Sequence, residues 1–178
     1  MFTRVLGSSL AVLALGAGLL AQAPAAPKPG PEHKPLQYFV GKWKSEGEIK
    51  PGPLGPGGKV TSTDSCEWFT GGFQVVCRGD GTGAMGKMSS LGVMAYSAGD
   101  KGYTYYGIDN MGSNELAKGN KSGSNWTFTS TSSFGGQTFQ SRFTIVEVSP
   151  KEYTFKWESS QDGKKWAVLM EGKATKVN

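Results

Sequence analysis

The two cysteines constrain the fold of this chain more than any other feature. Cys66 and Cys77 flank a short segment with the pair Gly71-Gly72 at its centre. Adjacent glycines readily adopt the positive φ angles that a tight hairpin turn requires. With the turn at this centre, the two cysteines stand directly opposite each other, where Cα atoms of antiparallel strands lie about 4.5–5.5 Å apart. The sequence therefore predicts a β-hairpin, its register and a Cys66–Cys77 disulfide bond.

The first 25 residues predict export. Arg4 precedes the apolar run Val5–Leu20, and small residues follow at the spacing of a signal-peptidase site. We predict a signal peptide over residues 1–25, cut after Ala23 or Ala25, and a secreted or periplasmic protein without membrane association after cleavage. An uncleaved anchor is the alternative, although the run is short for a span of about 20 apolar residues. Export to an oxidising compartment agrees with the predicted disulfide bond. The alternative is that the two cysteines are buried free thiols.

A proline- and alanine-rich stretch, residues 26–35, follows and predicts an extended linker. It contains His33, the only histidine of the sequence. Because histidine is the commonest general base and metal ligand, a folded domain without one lacks the side chain on which many enzyme classes depend. We therefore expect no cofactor and no metal, and we identify no catalytic residue.

Residues 36–178 are predicted to form one domain that consists mostly of strands. A short helix is predicted at Leu36–Val40. Strand-like segments then recur about every ten residues with turn residues between them. So many consecutive strands would leave long exposed edges in an open sheet, and closure removes those edges. The predicted fold is all-β, an antiparallel up-and-down barrel of about ten strands, with a β-sandwich as the alternative.

Turn centres predict how the later strands pair. A centre at Gly135-Gly136 gives one largely apolar face and one wholly polar face, as a half-buried antiparallel pair requires. A centre at Asp162-Gly163 is a strong hairpin signal. A loop at Ser149–Lys151 keeps the two hairpins on one inner face. The predicted neighbours are Trp126–Ile145, Phe128–Phe143, Ile145–Phe155, Phe143–Trp157, Phe155–Met170, Trp157–Val168, Ser159–Trp166 and Glu152–Lys173.

A further turn at Gly99-Asp100 predicts the face that could hold a ligand. One face of this hairpin pairs tyrosines and a carboxylate, and the other pairs Val93 with Tyr106 and Leu91 with Ile108. If the tyrosines point inward, aromatic and methionine side chains surround a few hydroxyl groups and one carboxylate, which is typical of a small-molecule site. Simple filling of a narrow barrel is the alternative. The candidate ligand-binding residues are Tyr96, Tyr103, Tyr105, Asp109, Phe155, Trp157 and Met170.

Several motifs resemble known families. Phe39-Val40-Gly41-Lys42-Trp43 resembles the Gly-x-Trp start of lipocalin-like (calycin) barrels, in which the tryptophan closes one end. Tyr106-Gly107-Ile108-Asp109, Trp126 and Glu158–Trp166 resemble a bacterial family, with exported members, that is described as a domain of unknown function. The resemblance implies a lipocalin-like barrel and no particular activity.

This sequence departs from two features of the related barrels. Lipocalins place a basic residue of the last strand against the first-strand tryptophan, and the candidates for that role are Lys173 and Lys176. The related haem-binding barrels use a histidine ligand, which the predicted domain lacks.

Three other patterns favour ordinary structure over a site. Gly79–Gly83 has the glycine spacing of a phosphate loop, but no helix follows to point its amides at an anion, so a strand connector is predicted. Asp109–Glu115 is rich in oxygen ligands but does not match the spacing of a calcium loop. The net charge of +5 comes from scattered lysines, which favours solubility and predicts no nucleic-acid partner.

The lead hypothesis is a non-enzymatic exported barrel that holds a small apolar or amphipathic molecule. The first alternative is a structural or protein-interaction domain with a packed core, whose loops Pro51–Gly58 and Gly79–Lys87 contact a partner. The second alternative is an enzyme without histidine that uses Asp109 and tyrosines. That role requires a buried Asp109 with a raised pKa.

Overall fold

The computed structural model describes residues 26–52, 55–84, 86–134 and 137–177, with the backbone alone for 132–134 and 137. The predicted signal peptide and the turn at Gly135-Gly136 lie outside these ranges. The described residues form one 3₁₀ helix, Pro31–Phe39, followed by ten strands. The strands are β1 Gly41–Ile49, β2 Gly58–Trp68, β3 Gln74–Gly83, β4 Gly86–Ser97, β5 Gly102–Asp109, β6 Asn114–Ser122, β7 Asn125–Phe134, β8 Gln137–Ser149, β9 Glu152–Ser160 and β10 Ala167–Val177.

The strands form a closed barrel. Each one pairs antiparallel with its neighbour in sequence, and β10 pairs with β1. The predicted up-and-down barrel is therefore confirmed, and the sandwich alternative is wrong. Closure gives every strand two hydrogen-bonded neighbours, which leaves no free sheet edge among the described strands.

The hairpin of β2 and β3, which the disulfide links, has the predicted register. Cys66 pairs with Cys77 between β2 and β3, and the two form a disulfide. The loop is wider than the predicted two residues, because the Phe69 amide donates to the Gln74 carbonyl and residues 70–73 lie beyond that pair. Gly71 and Gly72 take φ angles of +97° and +75°, so the positive φ expected of both glycines is present.

Most of the other predicted registers are confirmed. The β4–β5 pairs, the β7–β8 pairs and the neighbours Ile145–Phe155 and Phe143–Trp157 across β8–β9 are as predicted. The open question of which face of β4–β5 points inward is also answered. Tyr103 is buried, whereas Tyr106 and Ile108 are exposed on the outer wall.

The predicted β9–β10 register is wrong. Met170 pairs with Trp157 and Val168 with Glu158, with a bulge between residues 168 and 170. The bulge accounts for one residue of the shift, and the other comes from the loop at Asp162, whose Oδ1 accepts hydrogen bonds from the backbone amides of Lys164 and Lys165 at 2.8 and 2.9 Å. A loop built around one aspartate in this way is longer than a two-residue turn, and it moves β10 along β9.

Two predicted loop segments are structured differently. The helix begins at Pro31, so residues 31–35 are helical and not extended, and Tyr103 Oη holds this turn by donating to the Glu32 carbonyl at 2.9 Å. His33 accordingly lies against the rings of Phe73 and Tyr96. Gly79–Gly83, predicted as a connector, is the second half of β3.

Candidate functional site

The barrel encloses a cavity of about 390 Å³. The 3₁₀ helix covers one end of the barrel, where Leu36 and Phe39 are buried and Phe39 lines the cavity beside Trp43. The indole of Trp43 is fixed there because its Nε1 donates to the Phe39 carbonyl at 2.7 Å. The Gly-x-Trp segment thus forms the floor of the cavity, in line with the role that the resemblance implied.

Inward-facing glycines allow neighbouring groups to lie close against the cavity wall, since a Cβ added at Gly79 or Gly81 would collide with Asp64 Oδ1 or the Thr61 carbonyl oxygen. Gly79, Gly81 and Gly92 line the cavity on adjacent strands β3 and β4. Where these positions would otherwise carry side chains, the wall is bare backbone. Tyr105 uses part of this space, since a Cβ added at Gly92 or Gly107 would lie 2.8 or 2.7 Å from its ring carbons. The phenol ring therefore lies flat against the inner wall and leaves the centre of the barrel open.

The rest of the lining is mainly apolar, with a few polar groups. Apart from the disulfide cysteines and Met111 of the β5–β6 turn, its apolar members come from seven strands and include aromatic, aliphatic and methionine side chains. They are Val60, Met88, Met94, Ala117, Phe128, Phe143, Ile145, Phe155, Trp157 and Met170. Polar groups enter from Ser45, Ser62, Asp64, Ser90, Tyr105, Asp109, Glu115 and Tyr153. This mixture is typical of small-molecule sites.

The structure divides the predicted site residues into two groups. Five of them line the cavity, namely Tyr105, Asp109, Phe155, Trp157 and Met170. Tyr96 and Tyr103 lie instead at the closed end, with ring centroids 5.5 Å apart, where they support the helix. The indole Nε1 of Trp157 donates a hydrogen bond to Ser141 Oγ at 2.6 Å. With this polar atom satisfied, Trp157 presents an apolar ring to the cavity.

Asp109 has a structural hydrogen-bonding role at the start of the β5–β6 turn. Its Oδ1 accepts hydrogen bonds from the amides of Met111 and Ser113 at 2.9 and 3.0 Å. Burial alone would raise the pKa of this carboxyl group, but the hydrogen bonds from Ser113 and Met111 lower it. The raised pKa that a catalytic Asp109 requires is absent, and the expectation for the enzymatic alternative is contradicted at this residue.

Asp64 is the cavity carboxylate that the sequence reasoning missed. It lies on β2 opposite Trp43 and Gly79, and its Oδ2 accepts a hydrogen bond from Ser62 Oγ at 3.0 Å. Burial raises its pKa, the Ser62 hydrogen bond opposes that shift, and Asp80 adds to it. A signal was present, because Asp64 is two residues from Cys66 and alternation puts it on the same inward face as the disulfide.

Two cavity tyrosines stay protonated over the physiological pH range. Burial, with contributions from Glu115, Asp64 and Asp109, raises the pKa of Tyr105 to about 12. Burial and the charge of Asp64 also raise the pKa of Tyr153, whose hydroxyl is hydrogen-bonded to Ser45. Both phenols can therefore donate hydrogen bonds into the cavity.

Two kinds of feature are absent from the described residues. None of their helices is long and apolar enough to cross a bilayer. Nor do they contain a cluster of three or more His, Cys, Asp or Glu side chains that could hold a metal ion.

Comparison with known proteins bears on the fold and the family. The crystal structure of Rv2717c from M. tuberculosis is similar, with a TM-score of 0.61 and 13% identity over 84% of this chain and 99% of that chain. An S-type phycobiliprotein lyase, CPES from Guillardia theta, gives a TM-score of 0.49 and 12% identity over 82% of this chain and 90% of that chain. No curated protein matches the sequence. The family model described as "Protein of unknown function (DUF1579)" matches residues 28–176, and this chain belongs to that family.

Proposed function

We propose that this protein binds a small apolar or amphipathic molecule inside its barrel. The observation that carries the proposal is the cavity of about 390 Å³, a volume within the range of about 300–1,000 Å³ common for ligand sites. A barrel whose interior only packs against itself would fill this space with side chains. Here glycines occupy the inner positions 79, 81 and 92.

The candidate residues have different roles in this proposal. Phe155, Trp157 and Met170 would contact the apolar part of a ligand, and the Tyr105 hydroxyl would donate a hydrogen bond to it. Asp109 lies at the cavity wall with its carboxylate engaged by its own loop. Tyr96 and Tyr103 hold the helix that closes the floor. Export to an oxidising compartment is part of the proposal and is supported by the Cys66–Cys77 disulfide.

Titration with an uncharged fluorescent probe, N-phenyl-1-naphthylamine, tests the proposal. A blocking variant, Ala117→Phe, fills the cavity, because Ala117 is buried and lines it. Leu116→Phe adds a similar ring to the neighbouring outward-facing position, which is 67% exposed. We expect saturable binding to the natural protein and to Leu116→Phe, and loss of binding in Ala117→Phe. Binding that persists in the blocked but folded variant would contradict a site inside the barrel.

Native mass spectrometry of protein purified from its own host provides an independent test. A bound small molecule of constant mass, lost in Ala117→Phe, is the expected result. A protein that carries no molecule and also fails to bind the probe would refute the proposal.

A protein-interaction role is the second candidate, and a specific surface favours it. Tyr106 and Leu116 pair on the outer wall of β5 and β6, and Ile108 lies beside them, all three exposed. Contiguous exposed apolar side chains are common at protein contacts. A pull-down that compares Leu116→Glu with the natural protein as bait tests this role. The role requires a partner that the natural protein captures and the variant does not.

A further inference from the structure

The charges around the cavity bear on the class of ligand. Among the described residues, the lining contains three carboxylates, those of Asp64, Asp109 and Glu115, and no lysine, arginine or histidine. The chain as a whole is basic, with a net charge of +5. The inside of the barrel therefore has the opposite charge balance from the whole protein.

Two of the three carboxylates are engaged by the protein itself. Asp109 accepts hydrogen bonds from two amides of its own loop. Glu115 accepts a hydrogen bond from the Ser130 hydroxyl. Both lie towards the end of the barrel opposite the helix, because they flank the β5–β6 turn.

Asp64 differs from the other two in position and in partners. It sits deeper, since its direct neighbour on β1 is the floor residue Trp43. Its hydrogen bond among the described residues comes from a neutral hydroxyl, that of Ser62, and no described salt bridge involves it. A Cβ added at Gly79 would collide with its Oδ1 and lie 2.8 Å from Ser90 Oγ. The carboxylate therefore lies over bare backbone and beside a hydroxyl that can share a ligand donor.

We infer that the cavity selects apolar molecules that carry a cationic amine, which Asp64 binds as its counter-ion. This inference rests on the proposed function and specifies its ligand class. A partly buried carboxylate gains most from a partner of opposite charge, and the ring of Tyr153, which is close enough to feel the charge of Asp64, lies in the same lining and can also attract a cation. An anionic amphiphile such as a fatty acid would meet only like charges in the cavity, which is unfavourable.

A series of three amphiphiles with one chain length tests the inference. Decylamine is cationic at pH 7, decanol is neutral and decanoate is anionic. Calorimetric titration of the natural protein, below the micelle concentrations of decylamine and decanoate and below the solubility limit of decanol, gives the three affinities. We expect decylamine to bind about tenfold or more tighter than decanol, and decanoate to bind more weakly than decanol.

Two variants localise the effect. Asp64→Asn should abolish the preference for decylamine over decanol while it retains decanol binding. Asp80→Asn removes the same charge from the exposed outer face of the neighbouring strand, and should keep the preference. This pair separates direct contact from the general field of the barrel.

The possible failures are distinguishable. If decanol binds in the cavity but decylamine has no advantage, or if decanoate binds equally well, the charge inference is wrong and the proposed function stands. If the preference survives in Asp64→Asn, Asp64 is not the counter-ion and the inference is likewise overturned. If none of the three probes binds and N-phenyl-1-naphthylamine also fails to bind, both the inference and the proposed function fail. The comparison of the three probes on the natural protein holds even if Asp64→Asn does not fold.

Discussion

Lys176 on the last strand places its ammonium group 4.8 Å from the ring centroid of Trp43 on the first strand. The two residues are direct partners across the β1–β10 seam. The same ammonium donates a hydrogen bond to the Tyr38 carbonyl at 3.2 Å. Of the two candidates that the sequence offered for the basic partner of this tryptophan, Lys176 therefore takes the position. It joins the strand seam to the end of the helix that covers the floor.

The first prediction concerns this junction. Lys176→Met keeps the aliphatic stem of the side chain but loses the contact of the charge with Trp43 and the hydrogen bond to Tyr38. A cation–π contact contributes about 0.5–1 kcal/mol and a net hydrogen bond about 1 kcal/mol. We expect the free energy of unfolding to fall by about 1–2 kcal/mol in a denaturant titration. Lys173→Met, an exposed lysine on the same strand, is the matched control and should lose much less.

Local turn chemistry explains how much of the fold could be predicted. The turn centres at Gly71-Gly72 and Gly99-Asp100 predicted the register of their hairpins. Once the register is set, alternation determines which of the two faces each flanking side chain occupies. Asp162-Gly163 failed as a turn centre because the Asp162 carboxylate organises the amides beyond it. Sequence alone does not reveal whether an aspartate will cap a loop or occupy a tight turn.

The helix start and the deep carboxylate were missed for a different reason. The segment Pro31–Pro35 is held by a contact with a residue far along the chain, the hydrogen bond that Tyr103 donates to the Glu32 carbonyl. Amino-acid composition cannot predict such a contact. Asp64 lies on a strand whose alternating residues are mostly polar, so that its inward face is visible only through its relation to Cys66. The cavity volume likewise depends on how Tyr105 lies over Gly92 and Gly107, which is a matter of tertiary packing.

The second prediction concerns the disulfide. Cys66 and Cys77 close a loop of 11 residues' separation, and a cross-link of this size stabilises a fold by about 3 kcal/mol. The double variant Cys66→Ser/Cys77→Ser should therefore have a Tm lower by roughly 6–12 °C, at about 2–4 °C per kcal/mol for a chain of this length. Reductant should lower the Tm of the natural protein to a similar value and leave the variant unchanged. Equal Tm values with and without reductant in the natural protein would show that the bond adds no stability.

The third prediction follows from the raised pKa of Asp64. Burial makes the charged form costly, so the folded state binds more protons than the unfolded state between the unfolded pKa and the raised folded pKa. The contribution of this residue to stability therefore falls as pH rises through that window, and the full penalty is present above it. Asp64→Asn should be more stable than the natural protein at pH 7, and the gain should disappear below about pH 4, near the ordinary pKa of aspartate.

Chemical denaturation at a series of pH values measures this difference. Asp80→Asn, which removes an exposed carboxylate that accepts a hydrogen bond from Ser89, should gain much less at pH 7, because the charge of Asp80 only adds to a shift at Asp64 that burial dominates. If Asp64→Asn is less stable than the natural protein at pH 7, its carboxylate makes a net favourable interaction in the folded state, and the predicted sign is wrong.

The last prediction concerns the position of the Tyr105 ring. Gly92→Ala would place a methyl group 2.8 Å from a ring carbon of Tyr105, and the ring must then rotate towards the centre of the cavity. Overpacking of this kind costs about 1–3 kcal/mol, and the displaced phenol should also weaken binding of N-phenyl-1-naphthylamine. Gly99→Ala has open space around the new methyl group and should change neither property. In a Tyr105→Ala background, Gly92→Ala should cost little, because the group that it displaces is gone. An equal cost in both backgrounds would mean that the strain lies in the backbone of β4 and not in the contact between Gly92 and the tyrosine ring.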